Sequence, residues 1–275
     1  MNPHAVQPAS PITMLGGLWG NRELIYQMTR REVVGRYKGS SMGLLWSLLN
    51  PIFMLVVYSF VFSVVFKARW SGGDESHTQF AVVLFVGMIV HALFAEVLNR
   101  APSIILANAN YVKKVVFPLE ILAVVSLGAA LFHALVSLLV LLVAFAMLNG
   151  FIHWTTIFVP LELMPLMILS LGFGWILSSL GVFVRDIEQI IGVFTTILLF
   201  LSPVFFPVSA VPEPLRVWLH LNPLTFFIEQ TREVLIWGHL PDWQGLVFYF
   251  IGASVFAWLG YFWFQKTRKG FADVL

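Results

Sequence analysis

The chain has 275 residues, 59% of them hydrophobic and 11% charged, with a net charge of +2 and a mean hydropathy of +0.87. A soluble domain carries about 25% charged residues, so this few cannot cover a globular surface, and the composition specifies an integral membrane protein. The small net charge gives no footing for nucleic-acid binding, and the absence of cysteine excludes disulfides, thiolate metal sites and cysteine nucleophiles.

The first twenty residues, "MNPHAVQPASPITMLGGLWG", lack a basic stretch followed by an apolar one, so no cleaved signal peptide is expected. Residues 21–40, "NRELIYQMTRREVVGRYKGS", put Leu24, Ile25, Met28 and Val33 near one helical face with charges elsewhere. That pattern predicts an amphipathic helix lying on a membrane surface. About 20 apolar residues are needed to cross the hydrocarbon core. Six stretches qualify, near 44–66, 80–98, 119–148, 157–184, 188–206 and 246–264. The expected fold class is therefore an all-α integral membrane protein, one domain over 1–275, with six transmembrane helices, the N-terminal interface helix and two short re-entrant helices between spans five and six.

Lys and Arg set the orientation. With the N-terminus in the cytoplasm, twelve basic residues fall on inside segments, among them Arg22, Arg100, Lys113, Lys114, Arg185 and Lys266. Four (Lys67, Arg69, Arg216 and Arg232) fall outside. Both termini are then cytoplasmic. Residues 99–118 form a cytoplasmic connection longer than a tight turn needs. "RDIEQ", 185–189, makes spans four and five antiparallel neighbours. Its Arg185 and Asp186 either cap and pair at the surface or meet a cytoplasmic partner. Residues 207–245 are outside yet rich in Leu, Phe and Trp, which predicts two short helices broken at Asn222–Pro223. Irregular backbone at membrane depth is tolerated only against protein or a water-filled cavity.

Catalytic motifs are missing. There is no GxxxxGK[ST], HExxH or GxSxG, and "GRYKGSS" has the wrong spacing for a phosphate loop. No catalytic residue and no metal site is expected. The intramembrane ionisable groups are functional candidates by default: His91, Glu96, His133 and Glu162. The plainer reading makes Glu96, Glu120 and Glu162 interfacial and partly wet, and His133 a neutral histidine satisfied by a neighbouring helix. Ser170, Gly174 and Ser178, spaced by four, allow close helix approach, inside one subunit or between two. Tyr58, Phe62 and Phe66 form one stripe on span one, with Phe53 and Phe60 opposite. Span five adds Phe194, Phe200, Phe205 and Phe206. Such rings pack or face lipid, or offer sugar C–H faces a surface to slide along.

"RYKGSSMGLLWSLLNP", after a basic amphipathic helix and opening span one, resembles the start of ABC-2 type transport permeases, the membrane subunits of ABC exporters. Met42 stands where that family has leucine. "RDIEQ", "SPVFFPVSAVP" and "LNPLTFFIEQTREVL" extend the resemblance along nearly the whole chain, and the pattern looks most like the polysaccharide-exporting branch (O-antigen, teichoic acid, capsule). The resemblance implies a channel-forming permease subunit, not an enzyme, moving a lipid-linked polysaccharide across the bacterial inner membrane. It implies a second copy of the chain and a cytoplasmic ABC ATPase dimer that binds ATP and Mg, with no cofactor in this chain. An undecaprenyl-diphosphate-linked glycan and membrane lipid would be the other partners. The aromatic channel lining would be Phe53, Tyr58, Phe60, Phe62, Phe194, Phe200, Phe205 and Phe206. Arg30, Arg31, Arg36 and Lys38 would meet the substrate phosphate at the entrance, or simply anchor the chain to anionic lipid. Asn108, Asn110, Tyr111, Lys113, Lys114, Arg185 and Asp186 would couple to the ATPase. The competing readings are an ABC-2 exporter of a drug or small lipid, a membrane-embedded glycosyl or acyl transferase, and an assembly scaffold that transports nothing.

Overall fold

The computed structural model describes residues 10–66, 70, 77–113 and 117–275, and no strand occurs among them. The all-helical expectation holds. Helix α1 (Pro11–Gly20) begins where the Ser10 hydroxyl accepts the Thr13 amide at 3.2 Å and Pro11 takes the first turn. Both are standard start signals. The sequence reading passed over this helix. Helix α2 (Arg22–Arg36) buries Met28 and Val33 and lies across α6 (Ile121–Asn149). The turn after α2 runs through Gly39 at φ +90 and Gly43 at φ +53. The left-handed region costs other residues steric strain, which gives "KGSSMG" a backbone reason for its glycines.

Helix α3 (Leu45–Tyr58) contains Pro51 and continues as a wide π turn over Ser59–Val65. Helix α4 (His77–Ala107) is the hub. It packs on α6, α7 (Val159–Phe183), α8 (Ile187–Leu201), α10 (Pro223–Arg232) and the π turn. It runs through Arg100 and Pro102 to Ala107, so the first nine residues of the expected 99–118 connection are helix. A short α5 (Ala109–Lys113) follows. Helix α9 (Glu213–Leu221) meets α10 at Asn222–Pro223, where the Asn222 side chain accepts the Leu224 amide at 3.1 Å. Helices α11 (Trp243–Thr267) and α12 (Phe271–Val274) end the chain.

Among the described residues five helical segments are long and apolar enough to cross a membrane, where the sequence suggested six. The sixth candidate is α8, with 15 residues. At 1.5 Å per residue it reaches about 22 Å, against about 30 Å of hydrocarbon.

Lipid tails are as apolar as Leu, so burial alone does not hold such helices together. Close backbone packing does. A Cβ added at Gly181 of α7 would lie 2.0 Å from the Pro102 carbonyl oxygen, and one at Gly260 of α11 would lie 2.5 Å from the Gly172 carbonyl oxygen. These glycines seat α7 on α4 and α11 on α7. Ser170, Gly174 and Ser178 are all buried within the chain, which favours the intramolecular reading of that spacing.

Two buried acids correct the interfacial reading. Glu120 is 5% exposed and pairs with Arg268 at 2.9 Å. Arg268 also donates to the Phe117 carbonyl at 2.8 Å, and the Trp175 indole donates to the Glu120 carbonyl. Glu162 is fully buried, and neither carboxyl oxygen has a partner among the described residues. A residue near a span end in sequence is still inside the protein when neighbouring helices extend past it.

Candidate functional site

The polar chemistry gathers where α2 crosses α4 and α6. Two ion pairs pin α2 to α4, Glu32 with Arg100 and Arg36 with Glu96. Arg36 Nη1 stands 2.5 Å from Glu96 Oε1. His133 Nδ1 of α6 lies 2.9 and 3.0 Å from the two oxygens of that carboxylate and 3.1 Å from Arg36 Nη1, so the three side chains meet in one triangle. His133 Nε2 is buried and has no partner among the described residues. The Tyr37 ring packs edge-on against the imidazole at 6.2 Å. One ring nitrogen of His133 is thus met by α4, through an acid shared with an arginine, and the other is left without a partner among the described residues, so the plainer reading holds for Nδ1 alone.

A cavity of about 1030 Å³ opens beside this cluster, walled by Arg31, Arg36, Glu96, Asn99, Arg100 and Ser103 among others. Three guanidinium groups face two carboxylates (Glu32 and Glu96) there. Arg31 donates to the Tyr111 hydroxyl at 3.1 Å and forms no ion pair among the described residues. A second cavity of about 380 Å³ lies between α3, α4 and α6, with Asn50, Tyr58, Phe85, Met88 and Ser137 in its wall. Arg36, Ala92 and Glu96 are the side chains common to both.

From Tyr58 a ladder of rings leads along the π turn. Tyr58 meets Phe62 at 6.5 Å, Phe62 meets Phe205 at 6.2 Å, and Phe205 meets Phe200 at 5.6 Å. Phe66 and Phe80 flank Phe62. The structure thus brings together Tyr58, Phe62, Phe200 and Phe205. Phe53, Phe60 and Phe194 stand on exposed faces and, with half-buried Phe206, share no ring contact with the ladder among the described residues.

The remaining predicted residues scatter. Arg31 and Arg36 share the large cavity. Arg30 lines a smaller one of about 330 Å³ on the other side of α2, and Lys38 is exposed in the turn. Asn108 caps the end of α4 by donating to the Ile104 carbonyl at 2.8 Å. Asn110 is exposed, and Tyr111 stacks on Phe117 at 4.4 Å. Lys114 and the Lys113 side chain lie outside the described residues. Arg185 and Asp186 are exposed between α7 and α8. Asp186 makes no side-chain cap, so the expected capping is not formed.

Sequence reasoning missed Glu32, Asn99 and Arg100 as site residues, since a pair 68 positions apart leaves no local spacing to read. His91, weighed as a functional group, is spent on packing: its Nε2 meets the Thr195 carbonyl at 3.0 Å, and Thr195 donates to Asn99. Arg232 was also missed. It is 1% exposed, and its guanidinium donates to the carbonyls of Val83, Pro203 and Val204 and to Glu229. The Trp70 ring covers it at 4.2 Å.

The profile of the ABC-2 type transporter family matches residues 23–236. The chain belongs to that family. The match takes in helix α2 from Glu23 on, both cavities, the ring ladder and Arg232. This ABC-2 type transporter is 25% identical over 264 residues to the O-antigen export system permease protein RfbA of Myxococcus xanthus, covering 95% of this chain and 99% of that one. It is 26% identical over 256 residues to the protein of the same name from Klebsiella pneumoniae (92% and 95% covered). It is 26% identical over 217 residues to the polysialic acid transport protein KpsM of Escherichia coli (77% and 81% covered). An ABC-2 type transporter with these spans is a multi-pass membrane protein.

Proposed function

We propose that this chain is the channel-forming permease subunit of an ATP-driven exporter that moves a lipid-linked polysaccharide, O-antigen-like, across the bacterial inner membrane. The observation that carries the reading is the succession of a cation-walled cavity, a polar cluster and a ladder of aromatic rings. Sugar faces stack on rings without needing a tight polar site, and phosphates seek guanidinium groups. Family membership and the names of the relatives support the same assignment.

Two copies form the channel, with Tyr58, Phe62, Phe200 and Phe205 as the core of its lining and Phe53, Phe60, Phe194 and Phe206 completing it from exposed faces. Arg31 and Arg36 receive the phosphate of an undecaprenyl-diphosphate carrier, with Arg30 and Lys38 at the rim. Both termini are cytoplasmic, so α2 lies at the inner surface. Helix α8 together with 202–206 makes the sixth pass, and α9 and α10 dip back as re-entrant helices. A separate ABC ATPase dimer binds ATP and Mg and pushes on Asn108–Lys114 and the Arg185–Asp186 turn. The described residues contain no nucleotide motif, so energy enters through that contact.

Deleting the gene is expected to remove surface polysaccharide, with restoration by the wild-type copy. Normal polysaccharide in the deletion strain would sink the substrate assignment. Co-purification with the adjacent ATPase should yield a two-plus-two complex. The pair Lys113→Glu and Lys114→Glu should uncouple ATP hydrolysis from it, and no association with any ATPase would sink the exporter reading.

A further inference from the structure

The two cavities beside α4 have one boundary in common, made by Arg36, Ala92 and Glu96. Of these, the Arg36–Glu96 pair is the movable part. Arg36 is 51% exposed at its side chain and reaches the pair from the turn-side end of α2. Solvent at the half-exposed Arg36 screens its attraction to Glu96, and its other contact in the cluster is His133 Nδ1 at 3.1 Å, a neighbour that offers no negative charge. Glu96 does not depend on it, because His133 Nδ1 reaches both carboxylate oxygens from α6. Arg31, in the wall of the large cavity, has a hydroxyl for a partner and no carboxylate among the described residues. An anion entering there finds one unneutralised guanidinium and a second whose counter-ion is weakly held and already has another partner.

We infer that Arg36, Glu96 and His133 form an anion-operated gate. A phosphate or diphosphate group bound at Arg31 takes the place of Glu96 on Arg36. The carboxylate stays on His133, Arg36 swings toward the large cavity, and the two cavities join. The fork of a guanidinium accepts a phosphate in two parallel charge-assisted bonds, which one carboxylate oxygen at Arg36 Nη1 does not match. The inner cavity carries Tyr58, the first ring of the ladder, so the joined space leads from the cations to the aromatics. The head group that belongs on the substrate thus opens the way for the chain behind it. The identity of that head group rests on the proposed export function; the gate itself does not.

The chain has no cysteine, so a single introduced thiol reports access. Met88 lines only the inner cavity and Ser103 only the outer one. Met88→Cys and Ser103→Cys, each otherwise wild type, are placed in phosphatidylcholine nanodiscs and labelled with a sulfonate-bearing thiol reagent, with and without inorganic pyrophosphate. Pyrophosphate is expected to speed Met88→Cys labelling about tenfold, the factor that about 1.4 kcal/mol makes, and to leave Ser103→Cys unchanged or partly protected. Adding Glu96→Gln should make Met88→Cys label fast without pyrophosphate. Adding Arg36→Lys should blunt the pyrophosphate response while Ser103→Cys in that background labels normally, which shows a folded chain. A nanodisc arm containing phosphatidylglycerol separates the sources. Fast labelling with that lipid and no pyrophosphate makes a bilayer head group the operator, whereas a response to pyrophosphate alone makes it a diphosphate. If neither anion changes Met88→Cys labelling, or Glu96→Gln leaves it slow, the gate is overturned. The readout needs no ATPase and no polysaccharide, so a failed gate and a failed export assignment remain separate results.

Discussion

The spans that become α3 and α4 read alike as sequence, each an apolar run of about 20 residues, and in the structure each helix holds a proline, Pro51 in one and Pro102 in the other. In the folded chain 83% of the most apolar 18-residue stretch of α4 is buried among neighbours, against 6% for the 18 residues Leu45–Phe62. Hydropathy alone separates membrane from water, and both helices pass that test. What divides them is whether other helices bring small residues and hydrogen-bond donors to their backbone. Helix α4 receives Gly181 under Pro102 and the Arg232 guanidinium on the Val83 carbonyl. Helix α3 packs less extensively, on α6, α4 and the π turn that continues it, and turns Phe53 and Val57 outward, as that turn does Phe60. A hub is made by what packs against it.

This contrast can be broken most severely at Gly181. Gly181→Val puts a branched side chain into the Pro102 backbone, which cannot yield as a flexible side chain would. The monodisperse fraction in detergent is expected to fall to background, and a normal elution profile would contradict the close α4–α7 seat. Next is Arg232→Ala, which strips the donors from three buried carbonyls and is expected to cost about 3 kcal/mol or more, read as a lower unfolding temperature in detergent. Arg268→Ala comes third. It leaves buried Glu120 unpaired near the foot of α6 and should cost about 3 kcal/mol as an upper figure, with Glu120→Gln milder. Glu162→Gln should leave stability near wild type, because neither carboxyl oxygen has a protein partner to lose. At the α3 end, Phe53→Ala and Phe60→Ala should each change monomer stability by about 0.5 kcal/mol or less. A large loss there would mean that α3 is as embedded as α4.

Much of the fold was legible because apolar runs of about 20 residues have few alternatives in a membrane chain. Helix α1 was missed although Ser10 and Pro11 announce it. Three glycines in "PITMLGGLWG" lower its helix propensity, and packing of Met14 and Leu18 against the apolar cluster around Trp175, Tyr261 and Phe264 outweighs that. The extension of α4 through Pro102 was hidden for a related reason. Proline removes a helix hydrogen bond, and only the partner glycine on α7 reveals why the helix tolerates it there. At the site, the cations on α2 were readable as charge, and the Tyr58–Phe62–Phe66 stripe as spacing. Which cation meets which acid was not. Glu32–Arg100, Arg36–Glu96 and Glu96–His133 join residues on three helices, and their pairing follows from how α2 crosses the bundle. Arg232 was counted as an outside loop charge, yet it is the best-satisfied side chain of its region.

Arg232 also carries a consequence for how the protein is made. The carbonyls of Pro203 and Val204, just past the end of α8, are buried and take their hydrogen bonds from this one guanidinium. Their donor lies 29 and 28 residues further along the chain. While the ribosome is still working through that interval, the end of α8 has finished peptide groups in an apolar setting and nothing to satisfy them. The stretch from Pro203 to Arg232 is therefore satisfied only when it is complete and seated against the α4 backbone that supplies the Val83 carbonyl. A nascent chain halted before Arg232 should be the form that quality-control proteases find and remove.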